Sequence, residues 1–425
     1  MEEIVLRQIN KRKNIISYGF SVSKGLETYF SGKTFVIEYP ESVEIVPDSI
    51  AAVPFVCNVL PIIWLTNSRL VINELDQAFY ECIPNVKQGY ETMFPESVFA
   101  GEMCVKQLIP CEMPGVGKAA AFFSGGLDAV HTLIRHLDEK PALISIWGAD
   151  IRFDNEDGWE TVHKGIAVYA EKYNLADIVI RSSFRDFDHE DLLHKEFSEQ
   201  LKDGWWHGVK HGMALLGHAA PYAYLHGIST VYIASSHCPA DGHVRCASNP
   251  LTDNHVRFAN ARVVHDGFEC GRQDKVHDVV DYVNRTGNQL SLRVCWESQS
   301  GRNCCHCEKC YRTMASIMAE CADPVDYGFD RTAETVSDMQ RYIVGRKVLN
   351  ANLATSGWKH IHNGVRRNKK NLKGTKYWKH LKWIDKADFD RYEDLKLPLL
   401  YRIRNKLSTL RFYQFLHEMK VKLRG

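Results

Sequence analysis

From about residue 118 onward, short apolar runs alternate with helical stretches. The runs AAAFF, ALISIW, DIVIRSSF and VYIASS have the length and residue types of strands. Strands that alternate with helices form a parallel sheet covered on both faces, because each parallel connection has to cross over the sheet. The pattern therefore predicts an α/β fold with a Rossmann-like parallel sheet.

Three regions are predicted along the chain. Residues 1–115 contain β-branched and aromatic runs broken by turn signals, as in KTFVIEYPESVEIVPDS, and are expected to form an α+β module of their own. Residues 116–320 would form the α/β domain, and residues 321–425 a basic, helical extension. The 425 residues, 45% of them hydrophobic and 25% charged, are enough for two or three globular domains.

The sequence predicts neither secretion nor membrane association. The N-terminal MEEIVLRQINKRKN lacks the apolar core of a secretory signal, so we expect a cytoplasmic protein. The most apolar run, residues 50–65, is interrupted by Pro54, Asn58 and Pro61 and is shorter than the roughly 20 apolar residues that span a bilayer. We interpret this run as buried strands. The net charge is only +1, so any acidic partner has to be inferred from local charge.

The stretch AAAFFSGGLDAVHTLIRHL predicts a strand, a glycine turn and a helix. Gly125 and Gly126 would let a phosphate approach the backbone N–H groups at the positive end of the helix. Ser124 would add a hydroxyl donor, and Asp128 would hold a Mg²⁺ ion that bridges phosphate oxygens. The nearby GVGKAA is not a Walker A loop, because Ala119 stands where that loop has its metal-binding Ser or Thr. A plain tight turn is the alternative.

The segment CWESQSGRNCCHCEKC contains four cysteines spaced C-x8-C-x2-C-x2-C. Two residues between cysteines form a tight knuckle that directs both thiolates at one tetrahedral metal. The spacing predicts a structural Zn²⁺ site with no open coordination position, and an iron–sulfur cluster is the alternative metal group. Cys305 is left over, and the predicted ligands are Cys295, Cys304, Cys307 and Cys310.

Residues 233–276 are polar and are expected to form a loop at the carboxyl end of the sheet, where open α/β folds bind ligands. Ser235 and Asp253 are predicted to bind the nucleotide. Arg272 and Lys275 are predicted catalytic residues that stabilise charge on a reacting phosphorus. Long polar loops are also often mere surface, and Ser236 and Arg257 are weaker candidates of the same kind.

His207 and His211 lie four residues apart, on one face of a predicted helix. They could form a metal-binding pair. No third ligand is nearby in the sequence, so we favour ordinary core or surface histidines.

The glycine turn and the cysteine spacing resemble those of a known family. SGGLDA is similar to the SGGxDS loop of the PP-loop ATP pyrophosphatases, except that Ala129 replaces the usual Ser. One phosphate contact is therefore missing or comes from elsewhere. A PP-loop followed by this cysteine spacing resembles the 7-cyano-7-deazaguanine synthase (QueC-like) branch, over roughly residues 118–315.

The resemblance implies a ligase that uses ATP and Mg²⁺ to adenylylate a deazapurine acid, 7-carboxy-7-deazaguanine. Ammonia or another nitrogen nucleophile then forms an amide, which the synthases dehydrate to a nitrile. Enlarged relatives occur in bacterial anti-phage operons, where the acid can be joined to the amino terminus of a partner protein. The flanking regions of this chain favour that enlarged form. The resemblance also supports Arg272 and Lys275, since these enzymes carry a basic residue shortly before the zinc strand.

Two further functions remain open. A PP-loop enzyme that modifies tRNA would use the basic, aromatic stretch RRNKKNLKGTKYWKHLKW to bind nucleic acid. The same stretch is equally well explained as a solvated helical face whose charge balances acids elsewhere. A non-catalytic nucleotide-binding module is the third function, because Ala129 departs from the family loop.

Overall fold

The computed structural model describes residues 1–112, 117–332 and 336–397. The chain divides into two compact units, Met1–Cys304 and Cys305–Gly425. This division differs from the three predicted regions 1–115, 116–320 and 321–425. Among the described residues, no helix combines the length and the apolar character required to cross a bilayer.

The described residues of the first unit contain an 11-stranded sheet. Its strands are β1 Glu3–Arg12, β2 Ile15–Val22, β3 Phe35–Glu38, β4 Arg69–Asp76, β5 Glu102–Ile109, β6 Lys118–Phe122, β7 Ala142–Trp147, β8 Asp177–Ser182, β9 Ile228–Ala234, β10 Arg257–Phe258 and β11 Ala261–Asp266. Their order in the sheet is β10-β11-β9-β6-β7-β8-β3-β2-β1-β4-β5.

The helices of the first unit are α1 Asp48–Ala51, α2 Val53–Thr66, α3 Gln77–Met93, α4 Leu127–Arg135, α5 Glu156–Tyr173, α6 Glu190–Leu201, α7 His211–His226, α8 Pro250–Asp253 and α9 Arg272–Thr286. A π-helical turn, Trp206–Lys210, precedes α7, and short 3-10 turns lie at Lys24–Tyr29, Leu137–Glu139 and Pro239–Asp241.

The parallel half of the sheet contains a reversal of strand order. Strands β11, β9, β6, β7 and β8 are neighbours in that order, and each neighbouring pair is parallel. From β6 the chain adds β7 and β8 on one side and later β9 and β11 on the other, so the order reverses between β6 and β9. Open α/β sheets form a ligand-binding crevice at such a point. The predicted α/β class is confirmed, as are the four predicted strands that became β6 to β9.

The N-terminal strands extend this same sheet. β3 pairs antiparallel with β8, where Ile37 lies opposite Ser182. One hydrophobic cluster contains side chains from Ile4 to Val263. Residues 1–115, which we predicted to be a module of their own, therefore share one sheet and one core with the strands that follow. Pairing with β3 satisfies the backbone groups along an otherwise open edge of β8.

Residues 50–65 are helical, so the prediction of buried strands there was wrong. They belong mainly to α2, in which every residue from Val53 to Trp64 is buried. A helix that is apolar on all sides lacks the periodicity that distinguishes it from a strand. Pro54 lies in the first turn, where proline is tolerated. α7 packs closely on this helix, since a Cβ on Gly217 would lie 2.8 Å from the Cβ of Cys57.

The predicted polar loop at residues 233–276 also contains regular structure. It includes α8, β10, β11 and the start of α9. β11 has the mixed sequence ARVVHD, which carries little strand signal. Its parallel pairing with β9 determines its conformation, because strand formation depends more on the neighbouring strand than on intrinsic preference.

The second unit is helical within its described residues. Its helices are α10 Glu308–Ala319, α11 Met339–Ile343, α12 Ala351–Leu353, α13 Lys359–Arg367, α14 Lys369–Leu372 and α15 Trp378–Lys386, with a π-helical turn at Ala354–Trp358 and 3-10 turns at Pro324–Tyr327 and Tyr392–Asp394. The indole N–H of the buried Trp358 donates to Glu308 Oε1 over 2.8 Å, which ties α10 to this helical region.

Part of the basic charge in this unit is balanced internally. Lys369 lies 2.8 Å from Asp385, and Lys376 lies 2.6 Å from Asp323. These ion pairs support the interpretation of the basic stretch as a charged helical surface, as far as these two lysines are concerned. The last part of the basic extension, residues 398–425, lies outside the described residues.

Candidate functional site

The glycine turn lies at the carboxyl end of β6, beside the reversal of strand order. β6 ends at Phe122 and α4 begins at Leu127. Gly125 has φ of 73°, in the left-handed region that favours glycine. The Gly126 N–H donates to Ser124 Oγ over 3.3 Å. The predicted strand, glycine turn and helix are all present, so the backbone has the geometry of a helix-start anion site.

Two buried cations face Asp128 in the first turn of α4. Arg272 Nη1 lies 3.7 Å from Asp128 Oδ2, and Lys275 Nζ lies 3.5 Å from Asp128 Oδ1. The Arg272 and Lys275 side chains are 5% and 2% exposed, against 18% for Asp128. Both cations come from the first turn of α9, one helical turn apart. Charges at such burial interact more strongly than in water, because solvent screens them less.

Ser235 belongs to the same place. It is fully buried immediately after β9, and its backbone carbonyl accepts a hydrogen bond from Lys275 Nζ. Its hydroxyl donates to the carbonyl of His237 over 2.7 Å and shapes the start of the following loop. The structure therefore brings Asp128, Ser235, Arg272 and Lys275 to the carboxyl edge of β6 and β9, on the two sides of the strand reversal.

Asp253 has a different environment. Its fully buried carboxylate accepts hydrogen bonds from Ser248 Oγ at 2.6 Å and from the His265 ring at 2.8 Å. These contacts join α8 to β11. The Arg257 guanidinium donates to the carbonyls of Asn254 and Val256 close by in sequence. The contacts of Asp253 thus serve the packing of α8, and its predicted role in nucleotide binding stays a prediction.

Arg293 is a site residue that the sequence did not reveal. Its backbone N–H donates to the Gly125 carbonyl over 2.8 Å. Its guanidinium lies 3.5 Å from the partly exposed Asp150 through Nη1. Within the described part of the chain, its buried Nε and Nη2 have no hydrogen-bond partner. An unpaired buried donor costs about 1–3 kcal/mol, so the guanidinium is suited to an anion beside the loop.

The four predicted metal ligands form a cluster. Their four sulfur atoms all lie within 4.8 Å of one another, and they belong to Cys295, Cys304, Cys307 and Cys310. The Asn303 side chain stabilises the segment, because its Oδ1 accepts a hydrogen bond from the Cys295 N–H at 3.2 Å. Such a cluster can bind a metal ion such as zinc. The remaining Cys305 is buried, has φ of 58° and does not belong to this group of four.

Comparisons with protein-family models, with curated proteins and with solved structures give no match to this chain. A fold alone does not define an activity. The function has to be inferred from the chemistry of the glycine turn, its charged neighbours and the cysteine cluster.

Proposed function

We propose that this chain is an ATP-dependent ligase of the PP-loop type that activates a carboxylate by adenylylation. The observation that carries the proposal is the position of Asp128. It stands at the start of α4, next to a glycine turn, and faces Arg272 and Lys275 at the point where the strand order reverses. A nucleotide-binding crevice with fixed charges is what this reaction requires.

Each residue of the turn has a role in the proposal. The backbone N–H groups of Gly125 and Gly126 and the hydroxyl of Ser124 would bind phosphate oxygens. Asp128 would hold Mg²⁺, which supplies charge neutralisation on the phosphates. Arg272 and Lys275 would stabilise the negative charge that develops on the α-phosphoryl group when the substrate carboxylate attacks it.

The reaction has two steps. The carboxylate oxygen attacks the α-phosphorus of ATP, the bond to the β-phosphate oxygen breaks, and pyrophosphate leaves. A nitrogen nucleophile then attacks the acyl carbon, loses a proton and expels AMP, which leaves an amide. An acyl-adenylate is already reactive toward amines, so the protein contributes mainly positioning and charge stabilisation.

The resemblance to the QueC-like branch suggests the substrates. The acid would be 7-carboxy-7-deazaguanine or a similar deazapurine acid, and the nucleophile would be ammonia or the amino terminus of a partner protein in bacterial anti-phage defence. The cysteine cluster would hold Zn²⁺ as a structural ion. Arg293 could bind either the substrate carboxylate or a phosphate oxygen, since guanidinium groups recognise both.

The test is release of AMP and pyrophosphate from Mg-ATP, with and without the deazapurine acid and with ammonia as nucleophile. We expect release that requires the acid. Asp128→Asn should reduce it by about 100-fold or more, the scale of losing one major charge-stabilising group. Asp138→Asn is the matched control, because Asp138 is exposed. Equal rates in both variants, or ADP as the product, would contradict the proposal. Release that requires tRNA and not the acid would support the RNA-modifying alternative.

A further inference from the structure

A second group of metal-type ligands lies at the start of α7, far in sequence from the cysteine cluster. His207 belongs to the π-helical turn Trp206–Lys210, and His211 is the first residue of α7. Their rings lie nearly parallel, at 19° and 5.9 Å between centroids. Single π turns of this kind occur often at functional sites. The sequence favoured ordinary histidines here because no third ligand is close along the chain.

The tertiary structure supplies further ligands from the loop that follows β9. Ligand atoms of His207, His237 and Cys246 all lie within 4.8 Å of one another. In addition, His211 Nε2 lies 3.9 Å from the sulfur of Cys246. Cys246 is only 2% exposed. Three imidazoles therefore surround one buried thiol.

Two of the histidine rings are oriented by contacts at their Nδ1 atoms. His207 Nδ1 lies 2.7 Å from Asp203 Oδ2. His211 Nδ1 donates to the Trp206 carbonyl over 3.1 Å. Metal-binding histidines usually have such a carboxylate or carbonyl partner on the nitrogen that does not bind the metal. For His207 and His211, Nε2 is therefore the ring nitrogen that faces a shared ion in this proposal.

The backbone holds the loop against the helix. The Ala247 N–H donates to the His207 carbonyl over 2.8 Å. A Cβ on Gly212 would lie 2.2 Å from the Ala247 carbonyl oxygen, so only glycine permits this approach. Arg245 forms an ion pair with Glu96 at 2.8 Å. Cys246 is thus fixed between two anchored residues, which reduces the entropy lost when an ion binds.

We propose that His207, His237 and Cys246 form a binding site for a divalent transition metal, with His211 beside the fourth coordination position. Imidazole and thiolate ligands suit Zn²⁺ and are poor ligands for Mg²⁺ or Ca²⁺, which prefer oxygen. Binding requires the thiolate form.

The metal would fasten the loop after β9 to the start of α7. That loop begins at Ser235, two residues before His237, and the Ser235 carbonyl accepts a hydrogen bond from Lys275. The ion would therefore also help to position Lys275 opposite Asp128. The metal site itself does not depend on the proposed ATP chemistry, since its ligands are defined by their own geometry.

The test is metal content per full-length chain, measured by mass spectrometry after purification with zinc and removal of loosely bound ions. We expect Cys246→Ala to contain one metal equivalent less than the wild-type chain. His207→Ala should lose the same metal equivalent. Because the His207 side chain is 43% exposed, its removal should not unfold the chain, and the loss would then reflect the missing ligand. Cys57→Ala is the control for loss of a buried cysteine that does not belong to the ligand group, and it should keep the full content.

Cobalt substitution gives an independent readout. The wild-type chain should show a thiolate-to-cobalt absorption band that Cys246→Ala weakens and that Cys307→Ser, in the four-cysteine cluster, weakens separately. Unchanged metal content in both Cys246→Ala and His207→Ala would overturn the proposal. So would a cobalt spectrum of Cys246→Ala that equals the wild-type spectrum.

Discussion

Lys275 Nζ lies 3.5 Å from Asp128 Oδ1, although the two residues are 147 positions apart in the sequence. Their helices, α9 and α4, both begin at the carboxyl edge of the parallel strands. The first turns of two helices therefore meet where the glycine turn ends. This relationship places a buried cation where the proposed reaction develops negative charge, and it leads to the first prediction.

Lys275→Gln should slow pyrophosphate release by about 100-fold, because one preorganised charge-stabilising group is lost from the transition state. The KM for ATP should change less than kcat, since the charge is largest in the transition state. Steady-state kinetics measure both constants. Lys164→Gln is the matched control, because the Lys164 side chain is 72% exposed on α5. A larger effect on KM than on kcat would make Lys275 a ground-state binding residue.

Arg293→Met should weaken ATP-dependent activity without lowering the melting temperature. Arg293 Nε and Nη2 are buried donors without hydrogen-bond partners, and such donors destabilise the ligand-free protein. Methionine removes them and therefore removes this cost. The ion pair with Asp150 that is lost is partly exposed and contributes little. Thermal melts with and without Mg-ATP measure the effect, and the stabilisation by ATP should shrink. A lower melting temperature with unchanged stabilisation by ATP would show that Arg293 is structural.

His218 should make the stability of the first unit depend on pH. Complete burial lowers the pKa of His218 to about 4, and its ring bonds to Ser182 Oγ and the Ala214 carbonyl. Between about pH 4 and pH 6.5 the unfolded state binds more protons, so stability rises with pH across this window. From pH 7 to pH 5 the free energy of unfolding should fall by about 2 kcal/mol through this group.

Urea unfolding at pH 5 and pH 7 checks this expectation. In His218→Gln, the free energy of unfolding should differ much less between pH 5 and pH 7 than in the wild-type chain. His255→Gln changes an exposed histidine and should keep the wild-type difference. An equal pH difference in the wild-type chain and in His218→Gln would show that the histidine is not responsible.

The cysteine cluster makes a separate prediction about its ligands. Cys307→Ser should lose one metal equivalent and lower the melting temperature, because a tetrahedral thiolate site needs all four sulfurs. Cys305→Ser should keep the metal, since Cys305 is outside the group of four. Metal analysis of Cys307→Ser and Cys305→Ser shows which cysteines of the segment bind the metal. Loss of metal in Cys305→Ser alone would show that the ligand set is shifted.

The sequence by itself determined the local features of this protein. The alternation of apolar runs with helical stretches predicted β6 to β9. The glycine pair predicted the turn before α4, and the C-x2-C spacing predicted the cysteine cluster. Each of these features is encoded within one short window. Strand length, a left-handed glycine and the reach of a two-residue knuckle depend on nearby backbone geometry, so residue type and spacing are sufficient to predict them.

Only the tertiary structure decided which distant segments meet. It placed Arg293 at Gly125 and Cys246 at His207, and it joined β3 to β8 in one sheet. It also showed that α2 is a helix, which the sequence did not predict because a segment buried on all sides has no hydrophobic periodicity. Such pairings are settled by burial and by backbone hydrogen bonds between segments far apart in sequence, and no single window of residues contains that information.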